Sequence, residues 1–138
     1  MLEEIHIGFT GTRKGMSKSQ KMRLSELLTE IKSKNYSINF HHGACKGADS
    51  EADLIARNFG CKMYIHPSND RNTRIHCEES GDIVFNPKPP LVRDQDIVNV
   101  IEMLIAAPFT DKEIMRSGTW TTVRYARKRN LLIEEMKR

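Results

Sequence analysis

A chain of 138 residues with 22 Lys and Arg against 18 Asp and Glu carries a formal charge of +4, and 38% of it is hydrophobic and 29% charged. That length suits one domain over residues 1–138 with a single core, and the composition excludes collagenous and disordered classes. No apolar run approaches the roughly 20 residues that cross a bilayer, so no membrane partner is expected, while the mild basic excess suits an anionic ligand, nucleotide or nucleic acid alike.

The N-terminal MLEEIHIGFTGTRKG has neither the basic start nor the apolar centre of a leader peptide. Cys45, Cys61 and Cys77 are odd in number and unevenly spaced, which reads as three reduced thiols. Both features predict a cytoplasmic chain.

EIHIGFT alternates Ile5, Ile7 and Phe9 on one face and stops at Gly11, the pattern of a strand. In SKSQKMRLSELLTEIKSKN, Leu24, Leu27, Leu28 and Ile31 recur at helical spacing behind a Ser17–Gln20 capping box. YSINFHHG is a second strand ending at Gly43. GADSEADLIARNFG is a second helix, with Ala48, Ala52, Ile55 and Phe59 inward and Gly60 as its stop. CKMYIHP is a third strand.

From Ser68 to Pro90 the periodicity fails, apart from a short apolar run at 83–85 that predicts a minor strand. RDQDIVNVIEM is helical by Ile97, Val98 and Ile101, and LIAAP is an apolar strand of the kind buried on both faces. A helix over 118–129 and the strand LLIEE close the chain. Strand and helix alternate about five times, which predicts an α/β chain: a Rossmann-like three-layer sandwich around a mostly parallel sheet of about five strands.

In such sheets ligands bind beyond the carboxyl ends of the strands. There this sequence places Gly11, Thr12, Arg13 and Lys14; then His42, Gly43, Lys46, Gly47 and Asp49; then Pro108 and the turn Arg116, Ser117, Gly118, Thr119 and Trp120. Glycines, hydroxyls and cations at three strand ends compose a phosphate or nucleotide pocket. G-x-G-x-x-G and G-K-[ST] are both missing, so neither a dinucleotide cofactor nor a P-loop is supported, and no cofactor is expected. His41 and His42 point to opposite strand faces, so one of them reaches the pocket. A zinc set from His41, His42, His66 and Cys45 is poorly spaced, and no metal site is predicted. Asp49 reads either as a cap of the second helix or as a partner of a ribose hydroxyl, and Trp120 either as core or as a base-stacking ring.

GFTGTRKG, HHGACKGAD, PKPPLVRDQDIV, LIAAP and RSGTWTTVRYARK, in this order and over nearly the whole chain, resemble the SLOG superfamily, which includes the lonely-guy phosphoribohydrolases, DNA-processing protein A and molybdenum-cofactor carriers. The resemblance implies a Rossmann-like fold that binds nucleotides or their derivatives, and a homo-oligomer. The hydrolases carry a G-G-x-G-T-x-x-E motif whose glutamate works with an arginine. Gly118 and Thr119 match the G-T, Arg93 is the counterpart of the arginine, and Thr122 stands where the glutamate would be.

A hydroxyl neither stabilises a developing ribosyl cation nor activates water as a carboxylate does. Three functions follow. The first is a receptor or sponge for a nucleotide-derived ligand, ADP-ribose-like or cyclic. The second is an N-glycoside hydrolase of a nucleoside 5′-monophosphate, with Arg93 and either Asp49 or Asp94 as its catalytic groups. The third is single-stranded DNA binding through Arg124, Arg127, Lys128 and Arg129. Asp94 and Asp96 read equally as first-turn acids matched to a helix dipole.

Overall fold

A computed structural model describes residues 2–138. The chain runs β1 (Glu3–Gly11), α1 (Lys18–Ser33), β2 (Tyr36–His42), α2 (Ala48–Asn58), β3 (Lys62–Ile65), β4 (Ile83–Val84), α3 (Pro90–Asn99), β5 (Met103–Ala107), α4 (Gly118–Lys128) and β6 (Leu132–Glu135). The strands form one six-stranded sheet in the order β4-β3-β2-β1-β5-β6, and every pairing is parallel. The sixth strand is the short edge strand β4, whose two residues pair with Tyr64 and Ile65.

Period-two alternation sorts the core onto the two sheet faces. Ile7 and Phe9 of β1 join Leu24, Leu28, Phe40, Ala52 and Met63 beneath α1 and α2. The opposite face packs Leu104 and Ala106 against Ile97, Trp120 and Val123 of α3 and α4. Gly8 lies on that second face, where a Cβ would stand 2.6 Å from Ile101 Cδ1; the missing side chain lets α3 and its exit seat on β1.

Helix ends follow their local chemistry. Ser17 and Gln20 form the capping box at α1, each side chain bonding the other's backbone N–H. The α3 helix begins at Pro90, earlier than the periodicity places it, because proline is well suited to a first helical position. Asp94 and Asp96 therefore lie beyond the first turn and are not dipole-matched end acids. Ile101, read as helical, falls just after α3 yet stays in the core.

The chain leaves β1 toward β2, β3 and β4 on one side, and β5 and β6 lie on the other. The strand order thus reverses between β1 and β5, where a crevice opens at their carboxyl ends. Its floor is fixed by Thr12 N–H donating to Ala107 O at 3.0 Å and by Ala48 N–H donating to Thr12 O at 2.9 Å. Gly47 makes the second contact possible: it has φ +89°, and a Cβ there would overlap the Arg13 carbonyl. Gly47→Ala is expected to cost about 3 kcal/mol or more from left-handed strain plus overlap, read as a lowered urea midpoint with unchanged m-value.

Among the described residues, no helix is long and apolar enough to cross a membrane.

Candidate functional site

The crevice is a cleft of about 540 Å³ between the β1–α1 turn, the β2–α2 turn, α3 and the segment leading into α4. One wall is the start of α4. Ser117 caps the helix, its Oγ accepting from Trp120 N–H at 3.2 Å. That leaves the N–H groups of Gly118 and Thr119 without an acceptor inside the helix, at the positive end of its dipole. Gly118 has nothing within 4 Å of where a Cβ would be, so the backbone there is open to a ligand.

Cations surround this end. Arg13 and Arg116 are exposed on the cleft and have no carboxylate partner among the described residues. Lys14 lies over the Phe109 ring at 4.2 Å from its centroid, and Arg138 takes a similar place at 4.6 Å. Leu91, Phe109 and Ile114 give the rim an apolar side, with 55%, 46% and 45% of their surface exposed.

The floor is a buried ionic knot. Arg93 donates from Nε to Asp94 Oδ1 at 2.7 Å and from Nη1 to Gly43 O at 2.7 Å and His66 O at 3.2 Å. Gly43 has no side chain because one would overlap that guanidinium. Burial pushes the Asp94 carboxyl above the usual carboxylate range, Arg93 and the Thr122 hydroxyl pull it back, and neighbouring Asp49 pushes the same way as burial. Burial likewise raises Asp49, against the opposing pull of His42 and Arg93. Its Oδ2 accepts from Gly43 N–H at 3.0 Å and Cys45 N–H at 3.3 Å. Asp49 is therefore the anchor of the β2–α2 turn and makes no side-chain cap to α2.

Of the residues expected at the site, Gly11, Thr12, Arg13, Lys14, Gly43, Asp49, Arg93, Asp94, Arg116, Ser117, Gly118 and Thr119 line this one cleft. Five lie elsewhere. His42 is fully buried under α2, where its Nε2 donates to Asp53 Oδ1 at 2.7 Å and its Nδ1 accepts from Ala44 N–H at 3.0 Å. Lys46 points to solvent, Gly47 supports the β1–α1 turn from behind, and the Pro108 carbonyl is held by Gln20 Nε2 at 2.9 Å. Trp120 is core, its Nε1 donating to Thr110 Oγ1 at 3.2 Å.

The histidines also divide differently from expectation. His41 does not reach the cleft but lies on the opposite face from His42, bonded between His6 and His66. His41, His42, His66 and Cys45 are therefore not gathered around one point. His42, Asp53 and Cys77 do approach within 4.8 Å of one another, but Asp53 is already shared by His42 and Arg57.

Sequence reasoning marked Thr122 for what it lacks and missed the apolar rim. The structure buries Thr122 against the cleft, with Oγ1 donating to Gly118 O at 2.9 Å and the same hydroxyl beside Asp94. The basic run of α4 is partly committed: Arg124 and Arg127 both grip Glu113, at 2.8 and 2.7 Å, and so tie down the segment that carries Arg116.

No protein-family model matches the chain, and no curated protein does. Solved structures do resemble it. DNA processing protein A from Streptococcus pneumoniae superposes with a TM-score of 0.67 at 17% identity over 97% of this chain, which spans 50% of that one. A molybdenum cofactor binding protein from Rippkaea orientalis gives 0.66 at 16% identity over 98% of this chain and 77% of its own. The molybdenum cofactor carrier protein of Chlamydomonas reinhardtii gives 0.64 at 19% over 96% and 76%. At such identities the likeness is one of fold, and these structures share the Rossmann-like α/β fold of this chain.

Proposed function

We propose that the cleft binds a nucleotide or nucleotide-derived molecule by its phosphate, and that the chain acts as a receptor or sponge for it. The observation that carries this reading is the open start of α4, with two free N–H groups faced by the unpaired cations Arg13 and Arg116. Molybdenum cofactor, named for two of the structures above, and single-stranded DNA, named for a structure of DNA processing protein A from Helicobacter pylori that is 16% identical to this chain, both carry phosphate. Among the described residues, both aspartates that line the cleft are engaged, Asp49 holding two backbone N–H groups and Asp94 tied to Arg93, which favours holding a ligand over cleaving it.

Gly118→Pro isolates the cradle. Proline suits a first helical position, Ser117 before it is already extended at φ −144° and ψ 128°, and the site has room for the ring. The substitution removes one N–H and leaves the fold intact. Mass spectrometry of molecules released from the denatured wild type identifies the ligand, and calorimetry with it should show about 10-fold or more weaker binding to Gly118→Pro, the scale of one hydrogen bond to a charged group. Unchanged affinity would remove the cradle from the reading.

Asp94 beside Thr122 favours a second reading, an N-glycoside hydrolase in which Asp94 replaces the missing glutamate. It requires release of free base from a nucleoside 5′-monophosphate and loss of that release in Asp94→Asn. Assembly belongs to the same proposal. Met115 is 80% exposed beside the apolar rim, a surface suited to a second copy that borders the cleft. Sedimentation should give more than one copy per particle, and Met115→Lys should reduce it to one.

A further inference from the structure

Behind Arg93, away from the main cleft, lies a second cleft of about 210 Å³ between the chain that follows β3 and helix α3. We propose that it is a separate binding site for a neutral nitrogen heterocycle of nucleobase or nicotinamide size, recognised by His66. The proposal does not rest on the nucleotide reading, because the Arg93 guanidinium separates the two clefts.

Three observations define the occupant. The walls are apolar: Pro67, Val100 and the Phe85 ring, which keeps 41% of its surface exposed while stacking on His66 at 4.3 Å between centroids. The charges cancel, since Lys88 pairs with Asp96 at 2.6 Å and Arg93 with Asp94 at 2.7 Å, so nothing there attracts a net ion. The volume admits one ring or a fused pair and is too small for a whole nucleotide.

The recognition group is His66, only 5% exposed. Its N–H donates to His42 O at 2.9 Å, its carbonyl accepts from Arg93, and its Nε2 is bonded to His41 Nδ1 at 2.9 Å. Nδ1 alone has no partner among the described residues, and His66 is one of the residues that line the cleft. The chain continues, as His41 Nε2 is bonded to His6 Nδ1 at 2.8 Å.

A neutral imidazole has one N–H, so the three rings must all point the same way. In one direction His6 donates to His41, His41 to His66, and His66 Nδ1–H is left to donate to a ligand. In the other, the bonds reverse, His6 carries its proton on Nε2, and His66 Nδ1 accepts. His66 thus offers a donor or an acceptor according to the direction of the chain, which matches the ring nitrogens, amino and amide groups of such heterocycles.

The test is saturation-transfer NMR on the full chain with adenine, cytosine and nicotinamide as probes and benzoate as a charged control. At least one neutral probe should receive transfer, with fragment-like affinity in the high-micromolar to millimolar range. Transfer should fall at least five-fold in Val100→Trp, which fills the cleft from a position 49% exposed, and in His66→Gln. Binding should also shift the His66 imidazole nitrogen resonances.

No transfer to any neutral probe, or equal transfer to benzoate, overturns the proposal. Transfer undiminished in Val100→Trp but displaced by a nucleoside diphosphate puts the ring in the main cleft. That result overturns the second site and leaves the nucleotide reading standing.

Discussion

Arg93→Met should destabilise the protein by about 3–5 kcal/mol at neutral pH, the usual cost of removing one partner of a buried ion pair. The residue is 6% exposed, and its guanidinium serves the Asp94 carboxylate and the carbonyls of Gly43 and His66 together. Methionine fills much of the volume and replaces none of these bonds. Lysine would be a poor rescue, because a single ammonium cannot reproduce the fork that meets all three oxygens.

The pH dependence identifies the cause. Without Arg93 the Asp94 carboxyl, already raised by burial, is raised further, so the folded variant takes up a proton that the unfolded chain does not. Its stability must then recover as pH falls toward that raised value. Urea titrations should show the gap between wild type and variant narrowing from pH 8 to pH 5, and Arg93→Met combined with Asp94→Asn should regain part of the loss at pH 8. A deficit under about 1 kcal/mol, or one that does not change with pH, would mean that the knot is not held as described.

The elements that were legible in the sequence are those whose order comes from burying one face. Alternation in β1 and helical spacing in α1 match the observed burial residue for residue at Ile7, Phe9, Leu24 and Leu28. The segment 68–90 was illegible because polar bonds hold it. Arg57 donates to Asp53, Asp82 and the Cys77 carbonyl, and Lys46 and Ile75 N–H groups bond to Thr73 O and Ala44 O. Such partners lie up to 31 residues apart and leave no period.

The site divides in the same way. Strand-end glycines and hydroxyls announce the cradle because backbone chemistry there is local. The use made of His42 is set by α2, which brings Asp53 over it, while Asp49, in the first turn of α2 itself, reaches back to the β2–α2 turn. Asp49 had two candidate roles and has a third, holding the turn that Gly43 and Arg93 share. The histidine chain was invisible for a related reason: His6, His41 and His66 come from three segments, and only parallel pairing in register lines them up across one face.

That chain makes acid the second large perturbation. Burial, and then the neighbouring His66 and His6 rings, bring the His41 imidazole down to about 3, and burial, against the pull of Asp96, brings His66 down to about 4. Both fall below the unfolded value near 6.5. The unfolded chain therefore binds protons between pH 6.5 and 3 that the folded chain refuses, so the chain's contribution is complete above pH 6.5 and is lost as pH falls through that window.

His41 alone amounts to about 5 kcal/mol over the whole window, at about 1.4 kcal/mol per pH unit, and about 2–3 kcal/mol by pH 4.5. His66 adds less than its own shift, since a proton on either ring repels one on the other. The carboxylates act in both directions. Asp49 and Asp94, raised by burial, gain stability as pH falls. Asp53 and Asp82 resist burial through their bonds to Arg57, with His42 also holding Asp53, sit low, and lose it.

Comparison with His41→Gln separates the imidazoles from these. Glutamine keeps one donor and one acceptor for His6 and His66 but takes up no proton. Urea midpoints at pH 7.5 and 4.5 should fall more in wild type than in His41→Gln, by the equivalent of about 2 kcal/mol. Parallel losses in the two proteins would show that the imidazole chain does not resist protonation and that the carboxylates alone set the acid limit.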